Sequence, residues 1–238
     1  MCQKNLKGAF VLIGVYDYTV ILTYCSMISA MFGIIISTSG AGHPYWGAFF
    51  LLFSGLCDTF DGIVARKKPN RTEREKSFGV QIDSLSDLVA FGVLPSAISV
   101  GLYTSYKRSL ALFLPDGTIN VYVIIFLWIV VLYALAGMIR LAYFNVLDEE
   151  RKLSGDKSPK GFVGLPITSA ALIFPVILLL DFFTIKDLSK IYFIGQIVVA
   201  MLFLGSFRLK KPGKKMVAVL LGIGAVECLL LACLLYFK

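Results

Sequence analysis

An all-α bundle of about seven membrane-spanning helices is the fold class that the sequence predicts. Three observations support this prediction: an apolar composition, a series of long apolar segments, and an uneven distribution of basic residues between the loops. Of the 238 residues, 58% are hydrophobic and 16% are charged. Soluble domains carry about 25% charged residues, and the mean hydropathy of +0.81 indicates that lipid surrounds most of this chain.

The apolar segments have the length that a membrane span requires. A helix rises ~1.5 Å per residue, so about 20 residues cross a hydrocarbon core of roughly 30 Å. We expect spans at residues 18–38, 44–66, 78–103, 119–146, 163–183, 190–207 and 216–237. The sequence shows no internal repeat, low-complexity tract or soluble domain, so residues 1–238 are predicted to form one integral membrane domain.

The basic residues predict the orientation of the chain. Placing the loop at 67–77 in the cytosol puts 17 basic residues in cytoplasmic segments and five in segments on the other side. The positive-inside rule demands such an asymmetry, so the loops at 67–77, 147–161 and 208–215 are predicted to face the cytosol. The net charge of +8 then reflects topology and attraction to anionic lipid. Nucleic-acid binding is not expected, because the charges lie in separate loops.

Four aspartates interrupt the facing ends of the second and third predicted spans. Asp58 and Asp61 are three residues apart in GLCDTFDGIVAR, and the second pair, Asp83 and Asp87, are four apart in FGVQIDSLSDLVAFG. Each spacing puts both members of a pair on one helix face. The short loop between the spans lets the helices run antiparallel, so we expect the four carboxylates to converge near the cytoplasmic interface.

Such a group of carboxylates requires compensating positive charge. Carboxylate and water oxygens are the ligands that Mg²⁺ and Mn²⁺ prefer, and two such ions could clamp a diphosphate while positioning an attacking oxygen. Gly62 and Gly79 leave room where a side chain would block a ligand, and Ala65 is similarly small. Arg66 offers a planar donor fork for phosphate or for one of the aspartates. The alternative is that the acids are interfacial residues paired with lysines of the loop.

The two segments together resemble the signature of the CDP-alcohol phosphotransferase family, D-x-x-D-G-x-x-A-R followed by G-x-x-x-D-x-x-x-D. Every fixed position of this signature is filled, by Asp58, Asp61, Gly62, Ala65, Arg66, Gly79, Asp83 and Asp87. The spacer between Arg66 and Gly79 has twelve residues, which is longer than usual by about one helical turn of ~3.6 residues. The metal-binding face of the helix can therefore be preserved, and residues 55–92 are predicted to carry the catalytic signature.

The resemblance implies a fold and a chemistry. The expected fold has a six-helix core and is usually dimeric, and the expected reaction displaces CMP from a CDP-linked lipid with an alcohol. Two Mg²⁺ or Mn²⁺ ions would bind the donor diphosphate. Asp58, Asp61 and Asp83 would hold the first ion, and Asp87 would share the second and act as general base. The nucleotide pocket would be lined by Gly62, Ala65, Arg66 and Gly79.

Segments beyond the signature resemble the phosphatidylserine synthase branch of this family. They are DSLSDLVAFGVLP at 83–95, RLAYFNV at 140–146 and GLPITSAA at 164–171. The expected donor is CDP-diacylglycerol and the expected acceptor is L-serine, with phosphatidylserine and CMP as products. Glycerol phosphate, inositol phosphate and choline remain alternative acceptors. An asparagine expected in the first span is absent around Thr23-Tyr24-Cys25.

Arg140 is the one basic residue that lies inside a predicted span rather than at its end. A serine carboxylate that leaves water needs a cation, and a bidentate guanidinium suits it well. Arg140 is therefore predicted to bind the acceptor carboxylate or a phosphate of the lipid donor. The alternative is a helix-end arginine whose side chain reaches into the interface. Tyr143 and Asn145 are candidate polar partners, with packing as their alternative role.

Two other classes of protein are weaker interpretations. A transporter also places charged residues within its spans, but these acids cluster at one interface rather than at the midplane. A structural membrane protein would not need a carboxylate stripe interrupted by glycines. Of the remaining polar residues, His43 is expected to cap the second span and Asp181 to lie at a membrane surface. Glu227, deep in the last span, has no role that the sequence assigns.

Overall fold

The protein is described from a computed structural model that covers residues 14–39, 44–106, 108–154, 162–180, 187–209 and 213–237. Eight α-helices lie in these residues: α1 Ile21–Thr38, α2 Pro44–Lys67, α3 Glu73–Asp87, α4 Leu94–Ser105, α5 Val121–Ser154, α6 Ala170–Leu179, α7 Leu188–Leu204 and α8 Lys214–Phe237. Short 3₁₀ turns, Tyr18–Val20 and Ile167–Ser169, precede α1 and α6. His43 and Asp181 lie outside the described residues.

The predicted all-α membrane bundle is confirmed. By length and composition, five helical segments of the described chain are long and apolar enough to cross a membrane: 18–38, 44–67, 73–105, 121–151 and 215–236. Two shorter apolar helices, Ile167–Leu179 and Leu188–Leu204, correspond to the fifth and sixth predicted spans. Large apolar side chains such as Trp128, Ile194 and Leu229 are more than half exposed, as expected of surfaces that face lipid.

The first two helices pack closely along their length, and small residues make this approach possible. Ser26 and Ser54 each donate a hydrogen bond to the backbone carbonyl of the other residue, with distances of 3.4 and 3.0 Å. Ser29 donates a third bond to the carbonyl of Phe50 at 2.9 Å. Serine hydroxyls of this kind join transmembrane helices where lipid offers no hydrogen-bond partner. These bonds fix α2 against α1 in the part of α2 that precedes the aspartates.

A wide π-helical turn, Leu88–Val93, joins α3 to α4 directly after Asp87. Such turns occur as single insertions in α-helices and are frequent at functional sites. The hydroxyl of Tyr133 on α5 donates to the carbonyl of Phe91 at 2.7 Å. Because lipid cannot satisfy a freed backbone group, this bond stabilises the turn. The turn changes the direction of the α4 side chains relative to those of α3.

The core is centred on α4 and the π turn. Its largest members include Phe91, Leu94, Tyr133, Phe174 and Tyr192, all of which are buried. Tyr133 stacks edge-on against Phe174 with ring centroids 5.4 Å apart. Helices α1, α2, α5, α6 and α7 enclose this centre, and the arrangement holds the C-terminal half of α3 among buried surfaces.

Two short strands, β1 Phe162–Val163 and β2 Arg208–Leu209, pair antiparallel at the end of the bundle that carries the aspartates. Gly164 follows β1 with a φ of +72°, a left-handed conformation that disfavours side chains. Its amide donates to the carbonyl of Phe207 at 2.7 Å, and a Cβ at this position would lie 2.6 Å from the Gly205 carbonyl. This turn fixes the position of the next carbonyl, that of Leu165.

Candidate active site

The structure brings the four predicted aspartates together. Asp58 and Asp61 lie on the last turns of α2, and the other two lie on the second half of α3. One carboxylate oxygen each of Asp58, Asp83 and Asp87 lies within 4.8 Å of the other two. The carboxyl groups of Asp58 and Asp87 are in contact, and so are those of Asp61 and Asp83. The antiparallel return of α3 on α2 therefore produces the convergence that the spacing predicts.

This cluster is shielded from water. Asp61 and Asp87 are each 8% exposed, and the other two are half-buried. None of the four carboxylates forms an ion pair with a lysine or arginine in the part of the chain that the structure describes. The nearby lysines are engaged elsewhere: Lys68 pairs with Asp17, and Lys76 pairs with Glu73. The alternative, that loop lysines neutralise the aspartates, is therefore not what the structure shows.

The donor set fits hard divalent cations. Carboxylate oxygens are the preferred protein ligands of Mg²⁺ and Mn²⁺, with histidine and cysteine suited to softer metals. Three acidic oxygens within 4.8 Å of one another could share an ion between α2 and α3. Asp61 could add a ligand from the same helix face as Asp58, because the two are one helical turn apart. Without a bound cation, four carboxylates so close together would repel one another strongly.

Polar side chains on α1, α3 and α5 form hydrogen bonds around the cluster. Thr23 on α1 donates from its hydroxyl to Oδ2 of Asp61 at 3.0 Å, and both residues are buried. Ser86 donates to the backbone carbonyl of Thr23 at 3.2 Å, which ties α3 to α1. Asn145 on α5 donates to the hydroxyl of Ser84, beside Asp83, at 2.8 Å. Outer partners of this kind orient metal ligands.

Thr23 is a supporting residue that the sequence did not reveal. It lies in the segment where the expected asparagine is absent, and nothing local distinguishes it from other apolar-span threonines. Only the packing of α1 against α2 brings its hydroxyl to Asp61. Asn145 was a candidate polar partner from the sequence, and the structure gives it a bond to Ser84. Tyr143, the other candidate, is 53% exposed.

The two glycines of the signature, Gly62 and Gly79, each lie against the guanidinium group of an arginine. Nη1 of Arg66 lies 3.2 Å from the position that a Cβ on Gly62 would take. Nη2 of Arg71 lies 2.7 Å from the corresponding position at Gly79. Ala65 and Arg66 line a cavity of about 460 Å³ together with residues of the following loop. Of the four residues predicted to line a nucleotide pocket, Ala65 and Arg66 line this cavity, and the two glycines lie against arginines that line it.

Arg140 is buried inside the bundle rather than extended to the interface. It is 5% exposed, and its Nε donates to the carbonyl of Leu165 at 3.0 Å. The guanidinium carbon lies 5.4 Å from the ring centroid of Phe144. Its Nη1 has no hydrogen-bond partner among the described residues. A buried guanidinium nitrogen without an acceptor is costly, so Arg140 presents a donor that an anionic ligand could satisfy.

An apolar groove runs along the outside of α2, between α6 and α8. Its volume is about 990 Å³, and Thr59 and Phe60 line it beside the aspartates. Phe49, near the start of α2, lines it as well. Glu227 on α8 also borders the groove; it is 3% exposed, and neither of its carboxylate oxygens has a partner in the described chain. The groove offers apolar volume that begins at the acidic cluster.

Comparison with known proteins identifies relatives across most of the chain. Residues 18–223 match the CDP-alcohol phosphatidyltransferase family. A CDP-diacylglycerol–serine O-phosphatidyltransferase of Methanocaldococcus jannaschii is 28% identical over 94% of this chain and 91% of its own length. The enzyme of that name from Helicobacter pylori is 30% identical over 77% of this chain and 67% of its own.

A third relative carries a different name. An archaetidylserine synthase of Methanothermobacter thermautotrophicus is 29% identical over 74% of this chain and 64% of its own length. No solved structure gives a significant match.

Proposed function

The chain belongs to the CDP-alcohol phosphatidyltransferase family, and we propose that it transfers a phosphatidyl group from CDP-diacylglycerol to L-serine. The products of this reaction are phosphatidylserine and CMP. The observation that carries the proposal is the convergence of the four signature aspartates at one end of α2 and α3. The relatives of this chain are named CDP-diacylglycerol–serine O-phosphatidyltransferase or archaetidylserine synthase.

The site residues have distinct proposed roles. Asp58, Asp61 and Asp83 hold a first Mg²⁺ or Mn²⁺ ion, and Asp87 shares a second. When bound, these ions neutralise the donor diphosphate and stabilise CMP as the leaving group. Gly62, Ala65, Arg66 and Gly79 line the nucleotide pocket, where the two glycines leave space and Arg66 supplies a planar donor fork.

Asp87 acts as the general base. It accepts the proton of the serine hydroxyl, and the serine oxygen forms a bond to the lipid-side phosphorus of the donor. The bond from that phosphorus to the bridging oxygen breaks, and the electron pair leaves with CMP. Burial of Asp87 beside Asp58 supports this role, because exclusion of bulk water favours serine over hydrolysis.

Arg140 binds an anionic group of a substrate. Its unpartnered Nη1 supports this role, because a carboxylate would satisfy that donor. The Leu165 carbonyl accepts a hydrogen bond from Nε of the same guanidinium. This bond fixes the direction in which Nη1 points. We assign the serine carboxylate as this ligand. The alternative ligand, which an experiment must distinguish from it, is a phosphate of the lipid donor.

The apolar groove suits the donor's hydrocarbon chains. It begins at Thr59 and Phe60, one residue from the signature aspartates, and continues between α2, α6 and α8. A lipid lying there would bring its diphosphate to the cluster while its chains stay in an apolar environment.

The active site is proposed to face the cytosol in the cell membrane, where the basic loops and soluble nucleotide products belong. Single cysteines introduced in the loop at 67–77 of intact cells should react with membrane-impermeant maleimide only after the membrane is opened. Labelling without opening would place the loop outside. We also propose that the protein is a homodimer, which cross-linking in native membranes would reveal as a species of twice the monomer mass.

An acceptor panel tests the proposed reaction. Purified protein receives CDP-diacylglycerol labelled in its lipid part, Mg²⁺, and one acceptor at a time: serine, glycerol phosphate, inositol phosphate or choline. We expect labelled product and CMP with serine alone. Product with another acceptor would overturn the serine assignment, and no CMP release with any of them would overturn the phosphatidyl-transfer proposal itself. Repeating the panel with the archaetidyl analogue of the donor shows which of the two lipid donors the enzyme uses.

A further inference from the structure

The loop between α2 and α3 has a defined structure that the family signature does not include. Asn70 adopts a left-handed conformation with a φ of 58°, which turns the chain back toward α3. Thr72 and Glu75 form a reciprocal capping box at the start of α3, with hydrogen bonds of 3.2 and 2.8 Å. This arrangement satisfies backbone amides at the helix N-terminus. The chain between Asn70 and Thr72 is therefore held in place.

An ion-pair network fixes the same loop against the start of the bundle. Nζ of Lys68 donates to Oδ2 of Asp17 at 2.6 Å and to Oε1 of Glu75 at 3.0 Å. The hydrogen bond between Lys68 and Asp17 lowers the pKa of the Asp17 carboxyl group and raises the pKa of the Lys68 ammonium group. Both groups are consequently ionised across the physiological range. Lys68 is thereby occupied, and it anchors the loop.

The structure of this loop places the Arg71 side chain against Gly79 of the signature. Its Nη2 donates to the backbone carbonyl of Glu75 at 3.2 Å. The same atom lies 2.7 Å from the position that a Cβ on Gly79 would take. Nε of Arg71 is buried and has no hydrogen-bond partner among the described residues. A guanidinium held at one nitrogen with a second donor unsatisfied is prepared to bind an anion or a carbonyl oxygen.

Basic side chains dominate the cavity beside Arg71, although Lys68 and Lys76 are also paired with acids outside its lining. The cavity of about 460 Å³ is lined by Ala65, Arg66, Lys68, Asn70, Arg71 and Lys76. No acidic side chain is among these lining residues. Arg66 lies on the last turn of α2 and Arg71 in the loop that follows, and each guanidinium lies against a signature glycine. A ligand that contacts both glycines would meet both guanidinium groups.

We propose that Arg71 is a binding residue for the nucleotide half of the donor, supplied by the extended loop between α2 and α3. The ligand chemistry is a nucleoside monophosphate, whose phosphate oxygens or base carbonyl satisfy the free donors of the guanidinium. The inference rests on the proposed function, because it assumes a CDP-linked donor. It adds to the signature a contact that Gly79 makes possible, since any side chain there would displace the guanidinium.

Three variants of the full-length protein and one control test the proposal. Arg71→Ala removes the guanidinium. Arg71→Gln retains an amide donor for the Glu75 carbonyl but loses the charge, and Arg71→Lys retains the charge but loses the fork. Arg74→Ala is the matched control, because Arg74 is an exposed arginine one turn further along. For each protein we would measure the donor KM, the inhibition constant of CMP, and direct CMP binding by calorimetry in detergent.

We expect Arg71→Ala to raise the donor KM and the CMP inhibition constant by the same factor, about tenfold or more, as for loss of one charge-assisted hydrogen bond. Arg71→Gln and Arg71→Lys should weaken CMP binding as well, and Arg74→Ala should not. Unchanged CMP binding in both Arg71→Ala and Arg71→Gln would overturn the proposal. A raised donor KM with unchanged CMP inhibition would also overturn it, because Arg71 would then contact the lipid half or an anionic headgroup. Absence of CMP release by the unmodified protein would instead refute the proposed function.

Discussion

Replacement of Thr23 by valine tests whether the aspartate cluster is organised to hold a cation. Valine has nearly the shape of threonine but lacks the hydroxyl. In the structure that hydroxyl donates to Oδ2 of Asp61 at 3.0 Å, with Thr23 5% exposed and Asp61 8% exposed. The substitution therefore removes one buried, charge-assisted hydrogen bond and changes little else. Asp61 is left free to rotate away from the cluster.

The size of the expected effect follows from two considerations. A hydrogen bond to a charged group contributes about 1.5–3 kcal/mol, and about 1.4 kcal/mol corresponds to a tenfold change in an equilibrium constant. Loss of an outer partner of a metal ligand typically costs about 10–100-fold in metal affinity. Both considerations predict that Thr23→Val weakens cation binding by at least about tenfold. Thr23→Ser keeps the hydroxyl and should retain most of the affinity.

Mn²⁺ binding measured by electron paramagnetic resonance gives a readout that does not depend on turnover. The Mg²⁺ concentration for half-maximal CMP release gives a second. Thr38→Val is the matched control, because Thr38 lies on the same helix and its hydroxyl bonds only carbonyls of its own helix, at 2.8 and 3.5 Å. Equal Mn²⁺ affinity in Thr23→Val and the unmodified protein would refute the view that Asp61 is a ligand oriented by α1.

Substitutions at four further residues test other parts of the structure. Asp83→Asn should lower the rate by more than the roughly 100-fold seen for outer-shell residues, and EDTA should abolish turnover; full activity in EDTA would exclude the metal. Asp87→Asn should stop transfer while calorimetry still detects donor binding, and lost binding would make its role structural. Arg140→Lys should raise the serine KM and leave the donor KM unchanged, because lysine lacks the fork; the reverse pattern would assign Arg140 to a donor phosphate. Glu227→Leu should raise stability by about 1–3 kcal/mol, as expected on removing an unsatisfied buried polar group, whereas Glu227→Gln should not; a lower melting temperature in Glu227→Leu would indicate a partner for the carboxylate.

The fold and the acidic cluster were predictable because both depend on local pattern. The length of the apolar segments determines how many helices form, and the first helical segment occupies the predicted residues 18–38. The spacing of Asp58 and Asp61 on one helix, and of the later pair on the next, forces each pair onto one face. A short connection then brings the faces together. The metal and catalytic roles of these residues remain predictions.

Features that depend on distant parts of the chain were not predictable. The start of α3 at Glu73, five residues before the predicted span, is an exception: its capping box between Thr72 and Glu75 is local, but hydropathy excludes this polar stretch from a span. The bond between Lys68 and Asp17 joins residues 51 positions apart. The π turn at Leu88–Val93 depends on the hydroxyl of Tyr133, which comes from another helix. Such contacts are set by packing rather than by local sequence.

Arg140 shows how burial bears on two interpretations that the sequence left open. The sequence allowed an arginine that reaches into the interface or one that binds a substrate anion. The structure places the guanidinium at 5% exposure with its Nε on the Leu165 carbonyl, which disagrees with the first interpretation; binding of a substrate anion stays a prediction. The carbonyl is presented by the tight turn at Gly164, in one of the segments that resembles the serine branch. The position of that turn in space could not be inferred from the sequence.

The stoichiometry of serine incorporation and CMP release tests the central claim most directly. Purified protein in vesicles containing CDP-diacylglycerol would receive labelled L-serine and Mg²⁺, and lipid-soluble label and free CMP would be measured in the same samples. We predict equal molar amounts of the two products, and neither product from Asp87→Asn. CMP release without lipid-soluble serine label, or serine incorporation that persists in Asp87→Asn, would contradict the proposal that these aspartates catalyse phosphatidyl transfer to serine.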